Sequence, residues 1–271
     1  MSTRTSNWTS NWKSTRAGAR TAAARPGASA WLNLVVCEAK MVVRDTAGLV
    51  VPLVLPLLIL VMSAQSAGDQ VVTGDLTALE VYVLPLVLTI VLATIGVINM
   101  PSFLAYYRRT GILRRLSATP ASPLMVLVAQ VVVSVLQAVL GLTLALAVAF
   151  LVFDARVPEH LGAAVAVYAL AMAAMYAVGM VVAAVAPTPS SAVAIGLVTF
   201  FGLGALGGMF GGSSSLPGPV ATVGERLPFG ASVQALGAAW VGSPVEPAHL
   251  ISLGAVTVAG VVVAALFFRW D

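Results

Sequence analysis

The chain has 271 residues, 59% of them hydrophobic and only 9% charged, where a soluble globular domain carries about 25% charged residues. So few charges cannot cover a water-soluble particle of this size, which excludes an ordinary soluble enzyme and points to the bilayer as solvent. The net charge of +4 does not indicate a nucleic-acid partner, because the charges gather in short segments between long uncharged runs; the single Cys37 excludes an internal disulfide and reads as a small buried hydrophobe.

Residues 1–30 carry Arg4, Lys13, Arg16, Arg20 and Arg25, no acid, and many Ser, Thr and Ala. This segment cannot bury enough apolar surface to fold alone and reads as a disordered basic tail. The same composition also fits an organelle transit peptide, but without an apolar core it is no secretory signal. Residues 31–271 read as a single membrane domain. It opens with an amphipathic helix over 31–45, which sets Asn33, Cys37, Lys40 and Arg44 on one stripe and Leu32, Val35, Val36, Ala39, Val42 and Val43 opposite. Such a helix is expected in the headgroup plane, either as an anchor or as a connector that also touches a partner on that side.

A helix needs about 20 apolar residues to cross the hydrocarbon. Six stretches qualify: 47–65, 81–104, 124–152, 161–186, 192–211 and 249–268. The fold class predicted is therefore all-α, a polytopic membrane protein of six transmembrane helices behind an interfacial one. Pro52, Pro56, Pro85 and Pro101 lie in or near the spans, where neighbouring helices can satisfy the freed carbonyls. Asn99, near the end of span two, is a candidate either for such a carbonyl or for a substrate. After span two comes a loop with Ile112, Leu113 and Leu116 near one face and Arg114 and Arg115 beside them, ended by Thr119 and Pro120. An apolar knob ringed by cations suits docking into a groove on another protein.

In span three, Gln130, Ser134 and Gln137 share one face, either lining a path or bonding a neighbouring helix. In span five, Gly204, Gly208 and Gly212 recur every fourth residue, the small-xxx-small pattern of closely packed helices, for an intrachain contact or a homodimer seam. Segment 229–241 places Val233, Leu236 and Trp240 on one face and reads as an amphipathic helix at the outer interface, or a re-entrant lid.

Twelve of the fourteen Lys and Arg fall on one side if the N-terminus is cytoplasmic, leaving Arg156 and Arg226 outside. The positive-inside rule thus predicts both termini in the cytoplasm. No Lys supports a Walker A loop, since neither Lys13 nor Lys40 follows a glycine, so no such ATP site is expected in this chain. His160 and His249 stand apart, which argues against a metal site. No Asp, Glu, Lys or Arg lies deep in a predicted span, which disfavours a proton-coupled secondary carrier. The absence of a His, Cys and carboxylate constellation likewise disfavours a membrane enzyme. A secondary carrier or channel remains the alternative.

Gly111, Leu113, Arg115, Leu116, Thr119 and Pro120 match, in order, a Gly-x-Leu-x-Arg-Leu-x-x-Thr-Pro stretch. In this the chain resembles the membrane subunits of type-2 ABC exporters, particularly the daunorubicin-resistance-like permeases. Arg44-Asp45 before a Pro-containing first span, Gly-Gly-Met-Phe at 207–210, Leu216-Pro217-Gly218 and Leu227-Pro228-Phe229 extend the resemblance. One departure is Arg109-Thr110, where many members carry an acid before the coupling glycine. The resemblance implies a permease of the plasma membrane that is not itself an enzyme. It implies that the 111–120 loop, with Ile112 and Arg114, couples to a separate ATPase that binds the ATP and Mg, this chain holding no cofactor. It further implies pairing of two copies around a path for a drug, antibiotic or lipid.

Overall fold

Among the described residues of the computed structural model, six helices are long and apolar enough to cross a membrane: Thr46–Ser66, Leu79–Arg109, Met125–Val152, Leu161–Val185, Pro189–Leu206 and Pro247–Phe267. The structure describes residues 27–67, 70–73, 75–111 and 123–267. The fold is the expected all-α polytopic one, and the spans fall close to the predicted stretches because length and hydropathy alone select them. Six crossings return the chain to the side on which it started. That side, which holds helix α1 (Ala28–Arg44), is called near and the other far. The tail expected over 1–30 lies outside the described residues as far as 26, and α1 already begins at Ala28.

Span two is the central helix, 72% buried against 17% for span six. It is interrupted twice by wide turns, at Leu79–Val83 and Thr94–Asn99, which alternate with α3 (Leu84–Ala93) and α4 (Met100–Arg109). Each wide turn precedes a proline, Pro85 and Pro101. A proline lacks the N–H and its ring crowds the carbonyl four residues back, so the backbone opens to longer bonds such as Met100 N–H to the Ile95 carbonyl. The second wide turn is where other helices come closest. A Cβ on Gly179 of span four would fall on the Gly96 carbonyl, and one on Gly196 of span five would sit 2.6 Å from the Val97 carbonyl. Span six lies along span four, where a Cβ on Gly260 would meet Ala177 at 2.8 Å.

Span one is α2 (Thr46–Ala67), followed by a small antiparallel hairpin, β1 (Val71–Thr73) and β2 (Leu76–Thr77). Glu80, buried at the start of span two, accepts from the Thr77 N–H at 2.7 Å, the Thr77 hydroxyl at 3.0 Å and the Arg156 N–H at 2.7 Å. Three donors compensate its desolvation and tie the hairpin to the loop after span three. Spans three and four are α5 (Pro123–Val152) and α6 (Leu161–Val185). Span five, α7 (Pro189–Leu206), starts with a capping box in which the Thr188 hydroxyl accepts from Ser191 N–H at 3.1 Å and the Ser191 hydroxyl from Thr188 N–H at 2.9 Å. The two basic residues on the far side both face acids, Arg156 at 3.8 Å from Asp75 and Arg226 at 3.6 Å from Glu246.

Three expectations are corrected here. Span five ends at Leu206, and Gly208 and Gly212 have φ of +85° and +79°, so they lie in a left-handed turn. Gly204, Gly208 and Gly212 therefore form no helical stripe. Their spacing crosses a helix end: Gly208 and Gly212 serve backbone conformation, while a Cβ on Gly204 would sit 2.9 Å from Met209 Sδ. The segment after span five forms α8 (Gly218–Arg226) and α9 (Pro228–Trp240), and α9 is buried on most of its surface, not interfacial. Its Gly and Ala residues let it sit among spans two, four and six. Phe229 meets Phe200 edge-on at 6.4 Å, while the Trp240 indole N–H donates to the Arg156 carbonyl at 3.1 Å, so α9 runs from within the bundle to the far-side loop. Cys37, expected to be buried, is exposed; the inward face of α1 is taken by Glu38 and Val42 instead. Span six is α10 (Pro247–Phe267).

Candidate functional site

The polar residues of the bundle gather at three levels. The first is on the near side, where α1 meets the end of span two. Lys40 and Arg44 are exposed on α1, as the amphipathic pattern predicts, and Leu32, Val36 and Val43 are exposed beside them. The protein-facing side carries an acid: Glu38 is buried and accepts a hydrogen bond from the Tyr107 hydroxyl. Burial pushes the Glu38 carboxyl above the usual carboxylate range, and the Tyr107 hydroxyl partly offsets this. Next to it, the Arg108 guanidinium donates to the carbonyl of Ala186, which ends span four. A cation at a helix C-terminus satisfies one of its orphan carbonyls.

The Thr110 hydroxyl donates back to the Tyr106 carbonyl at 2.9 Å, and Gly111 follows with φ +66°. Among the described residues no atom lies within 4 Å of a Cβ on Gly111, and its left-handed conformation calls for glycine. Thr110 and Gly111 thus close span two. Ile112, Leu113, Arg114, Arg115, Leu116, Thr119 and Pro120 lie outside the described residues.

The second level joins spans one, two and three. Asp45 ends α1 and its carboxylate caps α2 by accepting from the Gly48 N–H at 3.1 Å. Four residues on, Pro52 offers no N–H, so the Gly48 carbonyl has no helical partner. Asn99 Nδ2 and Gln137 Nε2 both donate to it at 2.7 Å, and Asn99 Nδ2 also donates to Gln137 Oε1 at 3.2 Å. A Cβ on Gly48 would sit 2.6 Å from Asp45 Oδ2 and 2.9 Å from Asn99 Oδ1, so the clamp needs glycine there. Of the two alternatives for Asn99, it takes the freed carbonyl. Ser134 and Gln130, on successive turns nearer the near side, are buried without joining the clamp.

The third level is a far-side chamber of about 790 Å³. Its walls are the end of span one (Ser63, Ser66), the start of span two (Tyr82, Leu86), the glycine turn after span five (Gly208, Ser213) and α9 (Gln234). Gln234 Nε2 donates to Ser213 Oγ at 3.3 Å, tying that turn to α9. None of Asn99, Gln130, Ser134 and Gln137 lines this chamber. It is neutral, with hydroxyls and amides among apolar groups, and suits amphipathic molecules better than ions.

Sequence reasoning missed Glu38, Tyr107 and Gly48. Glu38 is the only acid of α1, and an acid among apolar residues on a helix otherwise carrying Lys40 and Arg44 is a signal that it is paired. Gly48, four residues before Pro52, carries the same kind of signal for a freed carbonyl.

Among curated proteins, no sequence matches this chain. A protein-family profile described as ABC-2 type transporter matches residues 30–238, from α1 through spans one to five and most of α9. The first two levels and the Gln234–Ser213 contact of the third lie within that stretch, and the chain belongs to the ABC-2 type transporter family, the membrane components of ABC transporters.

Proposed function

We propose that this chain is the permease subunit of an ABC exporter, forming a path for a hydrophobic or amphipathic substrate and driven by a separate ATPase subunit. The observation that carries the reading is the family match together with the near-side joint, where Glu38–Tyr107 and Arg108–Ala186 brace α1, span two and span four directly ahead of the coupling loop. Force applied to that loop would reach three helices at once. Two copies would pair around the path, and the neutral far-side chamber would be its exit. ATP binding would close the ATPases, move the loop and bias the spans from inward- to outward-facing access. The twelve Lys and Arg in the sequence segments before span one, after span two and after span six support a cytoplasmic near side.

Co-purification with the ATPase, followed by substrate-stimulated ATP hydrolysis in liposomes, tests the assignment. Leu116→Asp places an unpaired charge in the proposed contact and is expected to lose the ATPase and transport at normal membrane levels. Arg114→Ala, at the rim, is expected to cost under about 1 kcal/mol and keep both. Retention of both activities by Leu116→Asp would remove the loop's coupling role.

A further inference from the structure

A second cleft, of about 290 Å³, opens between the near-side halves of spans two, three and four. Met100 and Leu104 of span two, Leu127 and Val131 of span three and Met180 of span four are among its walls. Among the described residues Gln130 is the one polar side chain in the lining. It is 2% exposed, and its Oε1 has no hydrogen-bond partner. An amide oxygen buried in an apolar site without a partner is costly and calls for an explanation.

Water does not supply one. A buried water needs two to four polar partners, and this cleft offers a single residue. Val128, Val131 and Val132 at its mouth are each 39% exposed. On a membrane-crossing helix such side chains look into hydrocarbon, so the cleft opens sideways into lipid. What fills it must bring an alkyl body and one polar group. Gln130 lies five residues past Met125, the start of the span, about 8 Å along the helix. That is a depth at which the polar end of an amphiphile meets its chain. Among the described residues the lining holds no Lys or Arg, so an anionic headgroup would lack a counter-charge from them. A carboxamide offers either its oxygen or its NH2, and a hydroxyl answers both.

We infer that this cleft binds a neutral, hydroxyl-bearing single-chain amphiphile, such as a long-chain alcohol, entering from the near-side leaflet and placing its hydroxyl on Gln130. The inference does not depend on the export reading. The full chain in lipid nanodiscs is photolabelled with a diazirine-bearing long-chain alcohol, and separately with the same chain lacking the hydroxyl. The ratio of the two labellings on segment 125–132 is compared between wild type and Gln130→Leu, so that partitioning into the bilayer cancels. A single net hydrogen bond predicts a ratio about fivefold higher in wild type. Gln130→Leu removes a polar group from apolar surroundings, so it is expected to fold. Equal ratios in the two proteins would overturn the proposal. So would quantitative disulfide cross-linking between copies carrying Val131→Cys in a Cys37→Ser background, since a second copy would then fill the cleft.

Discussion

Removing the clamp on the Gly48 carbonyl should reveal its energetics, because Pro52 makes the experiment reversible. Asn99→Leu leaves Gln137 bonded to that carbonyl at 2.7 Å and forfeits two interhelical hydrogen bonds, to the Gly48 carbonyl and to Gln137 Oε1. In membranes such bonds average about 0.6 kcal/mol, with a maximum near 1.7. Adding Gln137→Leu also leaves the carbonyl buried and unpaired, a further cost of about 1–3 kcal/mol. The double variant should thus lose about 3–5 kcal/mol, more than twice the single. At roughly 2–4 °C per kcal/mol for a chain of this size, detergent-solubilised protein should unfold about 10 °C earlier. Pro52→Ala puts an N–H four residues beyond Gly48, so the triple variant should recover most of the loss. If the triple variant unfolds as early as the double, the side chains are not there to hold that carbonyl and the reasoning is wrong.

Gly179→Ala should destabilise by several kcal/mol, since the new methyl would strike the Gly96 backbone, whereas Gly202→Ala, with open space around it, should be neutral or slightly stabilising in the same thermal assay. Glu38, whose carboxyl is raised by burial, contributes stability that is fully present below the ordinary value of about 4.3. That contribution is lost as pH rises through the raised value; melting temperatures of wild type minus Glu38→Gln should therefore fall as pH rises from about 4.3 to the raised value and level off above it, and a difference that is flat throughout would contradict a buried acid. Single cysteines at Ser214 and Ser117 in a Cys37→Ser background should label from opposite faces of the membrane, Ser214 from outside; labelling of Ser214 only from the cytoplasm would reverse the orientation.

The spans were readable in the sequence because crossing a bilayer is a demand on length and composition, which are local and additive. The role of proline was readable too, since a missing N–H follows from residue type alone. The partner of the orphaned carbonyl was not. Asn99 and Gln137 are separated by 38 positions and meet Gly48 only because spans one, two and three converge. Sequence periodicity placed Gln137 on a face but could not say which helix that face meets.

The glycines mark the same boundary. Gly204, Gly208 and Gly212 have the spacing of a packing stripe, yet spacing carries that meaning only inside a helix, and α7 stops at Leu206. Gly96, Gly179 and Gly196 have no shared spacing, yet they are where backbones touch. Hydrophobicity alone determined that this chain lies in a membrane and where it crosses. Which small residues are contacts, which polar residues pair, and that Glu38 faces inward while Cys37 faces out were decided by tertiary structure. Within lipid every helix face is apolar, so hydropathy no longer separates inside from outside, and packing and hydrogen bonding make that choice.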